Sequence, residues 1–291
     1  MIINKVLLNK YKQDRRFTRL NQLAQPINQL NYLGNDLLKI LEKPRVAIVG
    51  SRKVTPYGRY VTEILTKELV QAGVVIISGL AFGVDSIAHQ AAIDSDGETI
   101  AVLPSGLDKI YPTNHTNLAK NILRSKGMLL TEYPVGSITP MKYQFIARNR
   151  IIAALSDAVI ITEAAERSGS LHTANFALEL GCEVFAVPGN INSSYSKGTN
   201  KLIQDGAIPV LESSDILEKL GIDVSKSIKH IKLTDEESQI YKYINNNISS
   251  FDKLVEKSKL PANKLNQLLT ALELKDLIKN NGNDTWEVIN T

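Results

Sequence analysis

Cysteine is nearly absent from this 291-residue sequence. A lone Cys182 excludes an internal disulfide framework and a zinc site built from several cysteines, and we expect it to be a small buried apolar residue. The four histidines lack the spacing of metal ligands. The sequence therefore predicts no metal site.

Long apolar runs are missing as well. No run is long enough to span a bilayer, and the start, MIINKVLLNKYKQDRRF, has neither the apolar segment nor the cleavage site of a secretory signal. We therefore expect a cytoplasmic protein that has no membrane partner.

Several fingerprints of nucleotide and hydrolase sites are also absent. The sequence contains no G-x-G-x-x-G, no G-x-x-x-x-G-K-[ST] and no G-x-S-x-G, although GLAFGVD is one residue away from the first pattern. The Asp85–His89 pair has helical i,i+4 spacing, which more often indicates a structural hydrogen bond than a catalytic dyad. We expect no cofactor and no catalytic residue.

The charge is unevenly distributed along the chain. Residues 1–60 carry twelve Lys or Arg against three acids, a net charge of +9, whereas residues 61–230 carry −4 and residues 231–291 carry −1. A basic N-terminal segment is compatible with a polyanionic partner and equally with an ordinary solvated surface.

Short apolar runs alternate with helix-compatible stretches from residue 46 onward. The runs are VAIVG, VVIIS, TIAVL, MLLTE, AVIIT and EVFAV, with a weaker IPVL at residues 208–211. Runs that are apolar throughout indicate strands covered on both faces, and repeated βα units indicate a doubly wound, mostly parallel sheet. We place this domain at residues 44–221, after a basic lead-in over residues 1–43 that we expect to be irregular or partly helical.

The remainder of the chain predicts a second, smaller domain. We expect a linker at residues 222–232, followed at residues 233–291 by three short helices and a terminal β-like run, the pattern of a winged helix-turn-helix. Thr234, followed three residues later by Glu237, is typical of a helix capping box. The segment in the recognition-helix position has one lysine, Lys264, which argues against a regulator that reads duplex DNA through this domain.

Glycine-bearing loops follow five of the predicted strands, and in such a sheet these loops meet at one edge. The RSGS stretch at residues 167–170 precedes a predicted helix, whose N-terminal N–H groups would favour an anion. That anion could belong to a dinucleotide, a nucleotide substrate or a nucleic acid. The segment MKYQFIARNR interleaves cations with aromatics, which suits a nucleic acid strand but also ordinary packing beside a solvated helix face.

The order and spacing of four motifs resemble those of the DNA-processing protein A family (DprA, also called Smf). The motifs are VAIVGSR, SGLAFGVDSIAH, FIARNRIIAALSDAVIITEA and RSGSLHTANFALELG. The resemblance covers about residues 44–220 and extends to the winged-helix tail. It implies an extended Rossmann fold, a homodimer, binding of single-stranded DNA, protection of incoming DNA and loading of the recombinase RecA in natural transformation. The DNA-binding residues that it implies are Ser51, Arg52, Lys142, Phe145, Arg148, Asn149, Arg150, Arg167, Gly169 and Ser170.

The alternative is a nucleotide-binding enzyme. RSGSLHT also resembles the loop of the phosphoribohydrolases, a related Rossmann group, but an alignment on Thr173 places their catalytic glutamate at Phe176. Glu179 lies one helical turn further on. Without the carboxylate the sequence lacks the group that would position water or stabilise a cationic transition state.

Overall fold

The computed structural model describes residues 3–137, 141–222, 233–275, 277–282 and 284–289. The chain divides into two compact units, Met1–Ser227 and Ile228–Thr291. All but the first residue of the expected linker over residues 222–232 lies outside the described residues.

Within the described residues of the first unit, nine strands form one sheet. The strands are β1 (Asn4–Leu7), β2 (Gln29–Gly34), β3 (Arg45–Val49), β4 (Val75–Ser78), β5 (Thr99–Val102), β6 (Met128–Thr131), β7 (Ala158–Ile161), β8 (Glu183–Ala186) and β9 (Ile208–Pro209). Their order is β1-β2-β6-β5-β4-β3-β7-β8-β9, with parallel pairing from β6 to β9. From the central strand β3 the chain first adds β4, β5 and β6 on one side, and later adds β7, β8 and β9 on the other side. This order confirms the doubly wound, mostly parallel sheet.

Helices cover both faces of this sheet. The α-helices of the first unit are α1 (Thr18–Asn21), α2 (Leu37–Ile40), α3 (Pro56–Gln71), α4 (Val84–Asp94), α5 (Thr116–Arg124), α6 (Lys142–Leu155), α7 (Ser170–Glu179), α8 (Lys197–Gln204) and α9 (Ser213–Lys219). Val46 and Ile48 of β3 pack in a core shared with α3, α4 and α9, whereas Ala47 and Val49 pack in a core shared with α6 and α7. Burial on both faces explains why these strands are apolar throughout.

The N-terminal segment differs from the expected lead-in. Residues 1–43 contribute β1 and β2, which pair antiparallel with each other and, through β2, with β6. Phe17 and Leu37 are completely buried beneath them. The prediction of an irregular or partly helical segment is therefore wrong for these two strands.

Several cations of this basic segment have local partners. Arg16 pairs with Asp14 and Glu42, while Arg19 and Arg45 both pair with Asp157. Asp14 and Glu42 are already counted in the net charge of +9, so among these three acids it is Asp157 that offsets part of the excess.

The second unit is a winged helix. It contains α10 (Asp235–Asn245), α11 (Phe251–Ser258), α12 (Ala262–Leu274) and a hairpin of β10 (Ile278–Gly282) with β11 (Thr285–Val288). The Thr234 hydroxyl accepts from the Glu237 N–H, and the Glu237 carboxylate accepts from the Thr234 N–H, which confirms the capping box. Lys264 of α12 pairs with Glu236.

In the part of the chain that the structure describes, we find no helix with the length and apolar character needed to cross a membrane.

Candidate nucleic-acid interface

A cavity of about 770 Å³ opens at the carboxyl edge of the sheet. Its walls come from the loop after β3, the loop after β7 and the N-terminal half of α6. This edge is where ligands bind in doubly wound sheets. The cavity brings together nine of the residues named from the sequence: Ser51, Arg52, Lys142, Phe145, Arg148, Asn149, Arg167, Gly169 and Ser170.

The turn after β3 holds its shape through Ser51. The buried hydroxyl of Ser51 donates to the Lys53 carbonyl at 2.8 Å and accepts from the Lys53 N–H at 3.1 Å. Gly83 packs against this turn with a φ of +78°, and a Cβ there would lie 2.2 Å from the Ser51 carbonyl oxygen. Ser51 therefore positions Arg52 and Lys53, which are both exposed beside the cavity.

An aromatic group forms one wall of the cavity. The guanidinium carbon of Arg52 lies 5.3 Å from the centroid of the Phe145 ring. Tyr111 contacts the same ring edge-on, with the two centroids 5.3 Å apart. Phe145 is only partly buried, so packing in a core does not account for it, and Tyr111 is a wall residue that the sequence analysis did not identify.

Arg148 lies at the base of the cavity and is 4% exposed. Its guanidinium donates to the Val102 carbonyl at 2.7 Å and to the Gly79 carbonyl, so it joins the ends of β4 and β5. Burial lowers the pKa of Arg148 to about 10, which leaves it charged at neutral pH. The alternative considered for the segment MKYQFIARNR, in which its cations lie on a solvated helix face, is therefore wrong for Arg148.

The structure does not bring Arg150 into the cavity. This side chain is 7% exposed, donates to the Gln25 carbonyl at 2.7 Å and pairs with Glu132 at 2.5 Å. It connects α6 to the N-terminal segment and to the end of β6. Of the ten residues named from the sequence, Arg150 is the one whose surroundings are those of a structural ion pair.

The RSGS stretch forms a tight turn at the start of α7. The hydroxyls of Ser168 and Ser170 lie 2.8 Å apart, and the Ser170 N–H approaches the Ser168 oxygen at 3.4 Å. The N–H groups of Leu171 and His172 donate at 3.2 and 3.3 Å to carbonyls of the same turn. These two N–H groups are therefore not free to bind an anion, contrary to the expectation from the sequence. The hydroxyls of Ser168 and Ser170 and the guanidinium of Arg167 are the other polar groups of this turn.

A buried carboxylate holds the N-terminus of α3 beside the cavity. Glu163, 3% exposed, accepts from the hydroxyl of Thr55 at 2.6 Å and from its backbone N–H at 2.9 Å. It thereby fixes the start of α3 next to the turn that carries Arg52. In the sequence this role has no signature beyond an acid directly after an apolar strand.

The electrostatic balance of the cavity is positive. Arg52, Lys53, Lys142 and Arg167 are exposed, and none of the four forms an ion pair with any residue that the structure describes. The one carboxylate among the lining residues is Asp85, which is buried, and burial raises the pKa of its carboxyl. The cavity is therefore suited to an anion.

Comparisons with known proteins identify a family for both units of the chain. The model of the family described as DNA recombination-mediator protein A matches residues 10–221, and a DprA winged helix domain model matches residues 230–281. The chain belongs to the DNA recombination-mediator protein A family. Among curated DprA proteins it is 44% identical to that of Bacillus subtilis over 185 residues, which are 64% of this chain and 62% of that protein.

Other relatives in the family extend the comparison. Protein Smf of Escherichia coli is 46% identical over 183 residues, 63% of this chain and 49% of that protein, so the match spans about half to two thirds of these relatives. The DprA structure from Streptococcus pneumoniae has a TM-score of 0.68 at 39% identity, with 75% and 74% of the two chains covered. A Helicobacter pylori DprA structure, described for its single-stranded DNA binding mode, has a TM-score of 0.65 at 35% identity, with 75% and 95% covered.

The Asp85–His89 pair, which has helical i,i+4 spacing in the sequence, has other partners in the structure. The Asp85 carboxylate accepts from the N–H groups of Gly79 and Ala81, while His89 Nδ1 lies 2.7 Å from the Thr99 hydroxyl. Both side chains are structural, but they are not bonded to each other as the spacing had predicted.

The structure also locates the two residues on which the enzyme alternative depends. Neither Phe176 nor Glu179 is among the described residues that line the cavity; the Phe176 ring packs against the core between the sheet and α7. Among the described residues, no group of three or more His, Cys, Asp or Glu side chains could hold a metal ion. The carboxylate in the cavity is thus the buried Asp85, already engaged with two backbone N–H groups.

Proposed function

We propose that this protein binds single-stranded DNA in the cavity and delivers it to a RecA-type recombinase, as part of the recombination of incoming DNA. The observation that carries the binding step is the placement of four exposed cations around a partly exposed aromatic ring. Cations that meet phosphates beside rings that stack on bases are the common features of single-strand binding sites.

The geometry supports the following contacts. All four exposed cations, Arg52, Lys53, Lys142 and Arg167, meet phosphates. The hydroxyl of Ser170 and the backbone at Gly169 add hydrogen bonds at the start of α7. Phe145 provides a ring for one base, and Asn149, which donates to the Gly169 carbonyl at 3.3 Å, holds α6 against this turn. Arg148 and Ser51 shape the cavity, and Arg150 stabilises the fold away from it.

Binding of labelled oligo(dT) in a salt series tests this proposal, with blunt duplex as competitor. Four phosphate contacts predict that log K falls with log salt with a slope of about −3, since each contact on a single strand contributes about −0.7. Equal affinity for duplex, or a slope near zero, would contradict single-strand binding through this cavity.

The partners and the domain roles are part of the same proposal. A homodimer would present two cavities to one strand, so long oligonucleotides should bind more tightly than short ones without any new type of contact.

The first unit alone should retain most of this affinity, because Lys264 of the winged helix is paired with Glu236. A chain that ends after Gly221 and stays folded but loses single-strand binding would instead assign the main DNA site to the winged helix. RecA delivery is checked by whether the full chain speeds filament formation on oligo(dT).

A further inference from the structure

The outward face of α3 carries exposed aromatic side chains close to the start of the helix. Tyr57, Tyr60 and Ile64 are 48%, 63% and 36% exposed. Their spacing places them on the same side of the helix, since residues three and four apart are neighbours on a helical surface. A contiguous exposed apolar stripe of this kind marks an interaction site more often than ordinary surface.

This face begins at the edge of the cavity. Lys53 lines the cavity and lies two residues before Thr55, the N-cap of α3. On the other side, the hydroxyl of Tyr57 donates to the Pro188 carbonyl at 2.9 Å, and the loop that starts there leads to Tyr195, another cavity residue. The tyrosine face, defined as Tyr57 and Tyr60, is therefore continuous with the cavity wall.

The charged groups named beside this face are Lys53 and the Arg59–Glu63 pair, which together carry a net charge of +1. Lys53 is exposed and forms no ion pair with the described residues. Arg59 pairs at 3.2 Å with Glu63 four residues along the helix, with both side chains about half exposed. Such surface pairs contribute little to stability, so the guanidinium can exchange the carboxylate for a phosphate at small cost.

We infer that the DNA strand leaving the cavity crosses the first two turns of α3, where a base stacks on Tyr60 and a phosphate meets Arg59. This inference rests on the proposed single-strand binding and extends it from a cavity to a path. Exposed rings accept any base because every base has a π-face, so the path adds affinity without sequence preference.

A length series of oligo(dT), from about 4 to 24 nucleotides, separates the path from the cavity. Loss of one stacked base costs about 5- to 150-fold in affinity. Tyr60→Ala should therefore bind long oligonucleotides about 5- to 150-fold more weakly than the natural chain. For the shortest oligonucleotides that the natural chain binds, the two affinities should be equal. Tyr60→Phe keeps the ring and should retain the affinity. Arg59→Gln should flatten the salt dependence only for long oligonucleotides.

Leu178→Ala serves as the matched control, because Leu178 is a similarly exposed apolar side chain, at 59%, on a different helix. Equal binding of long oligonucleotides by Tyr60→Ala and the natural chain overturns the inference. So does a Tyr60→Ala chain whose sedimentation shows lost self-association, since the face would then hold a second protein. If the natural chain binds no oligonucleotide of any length, it is the proposed function that has failed.

Discussion

Replacing Arg148 with methionine should destabilise the first unit, whereas the same replacement of Arg167 should not. Arg148→Met leaves the carbonyls of Gly79 and Val102 without their buried donor. Each unsatisfied buried acceptor costs about 1–3 kcal/mol, and two are left by this replacement, so we expect a loss of about 2–6 kcal/mol. For a unit of this size that corresponds to a melting temperature lower by roughly 4–24 °C.

The assay is calorimetry of both variants together with oligo(dT) binding at a temperature where both are folded. Arg167 is exposed and forms no ion pair with the described residues. The Arg167→Met variant should therefore have the same melting temperature as the natural chain. Its plot of log K against log salt should be shallower by about 0.7 to 1 unit. An Arg148→Met chain that melts within 2 °C of the natural one and yet fails to bind DNA would refute the structural role of Arg148 and make it a phosphate ligand.

Three further outcomes are expected. Phe145→Ala should weaken oligo(dT) binding by about 1–3 kcal/mol with an unchanged salt slope; intact binding with a lower melting temperature would make the ring a core residue. Burial lowers the pKa of His89 to about 3, so the unfolded chain binds the extra proton first and stability should fall as pH drops from about 6.5 towards 3. Urea unfolding across this range should show a shallower fall for His89→Asn, and an identical fall would contradict it. Chromatography of nucleoside monophosphates incubated with the protein should show no release of free base, because Phe176 occupies the glutamate position; release abolished by Glu179→Ala would contradict this.

The central strands could be predicted because each is buried on both faces and is therefore apolar along its whole length. β1 and β2 gave no such signal. Their sequences, NKVL and QLNYLG, mix polar and apolar residues, and only part of each is buried. β1 is the edge strand and β2 lies next to it, and both pair antiparallel with their neighbours. Antiparallel strands need not be covered on both faces, so the continuous apolar run that identifies a central parallel strand is missing there.

The site was predictable to the level of segments and less so to individual side chains. Arg148 and Arg150 both lie in a motif associated with DNA, yet both point into the protein. Apart from Asn149, which accepts from Arg148 Nε, their partners lie 18 to 125 positions away in the chain, such as Glu132 and Gln25. Tyr111 and Glu163 were missed for the same reason, because their roles come from contacts between distant loops.

The pairing of β2 with β6 also sets an order of events during synthesis. Tyr32 of β2 lies opposite Leu130 of β6, about a hundred residues later in the chain. At 5–20 residues per second, a ribosome needs roughly 5–20 s to make the segment between them. During that interval β2 can pair with β1 but not with β6, so Leu30 and Leu33 cannot yet reach their buried positions. β1 and β2 are thus made before β3, β4 and β5 but join the sheet only after β6 has been made.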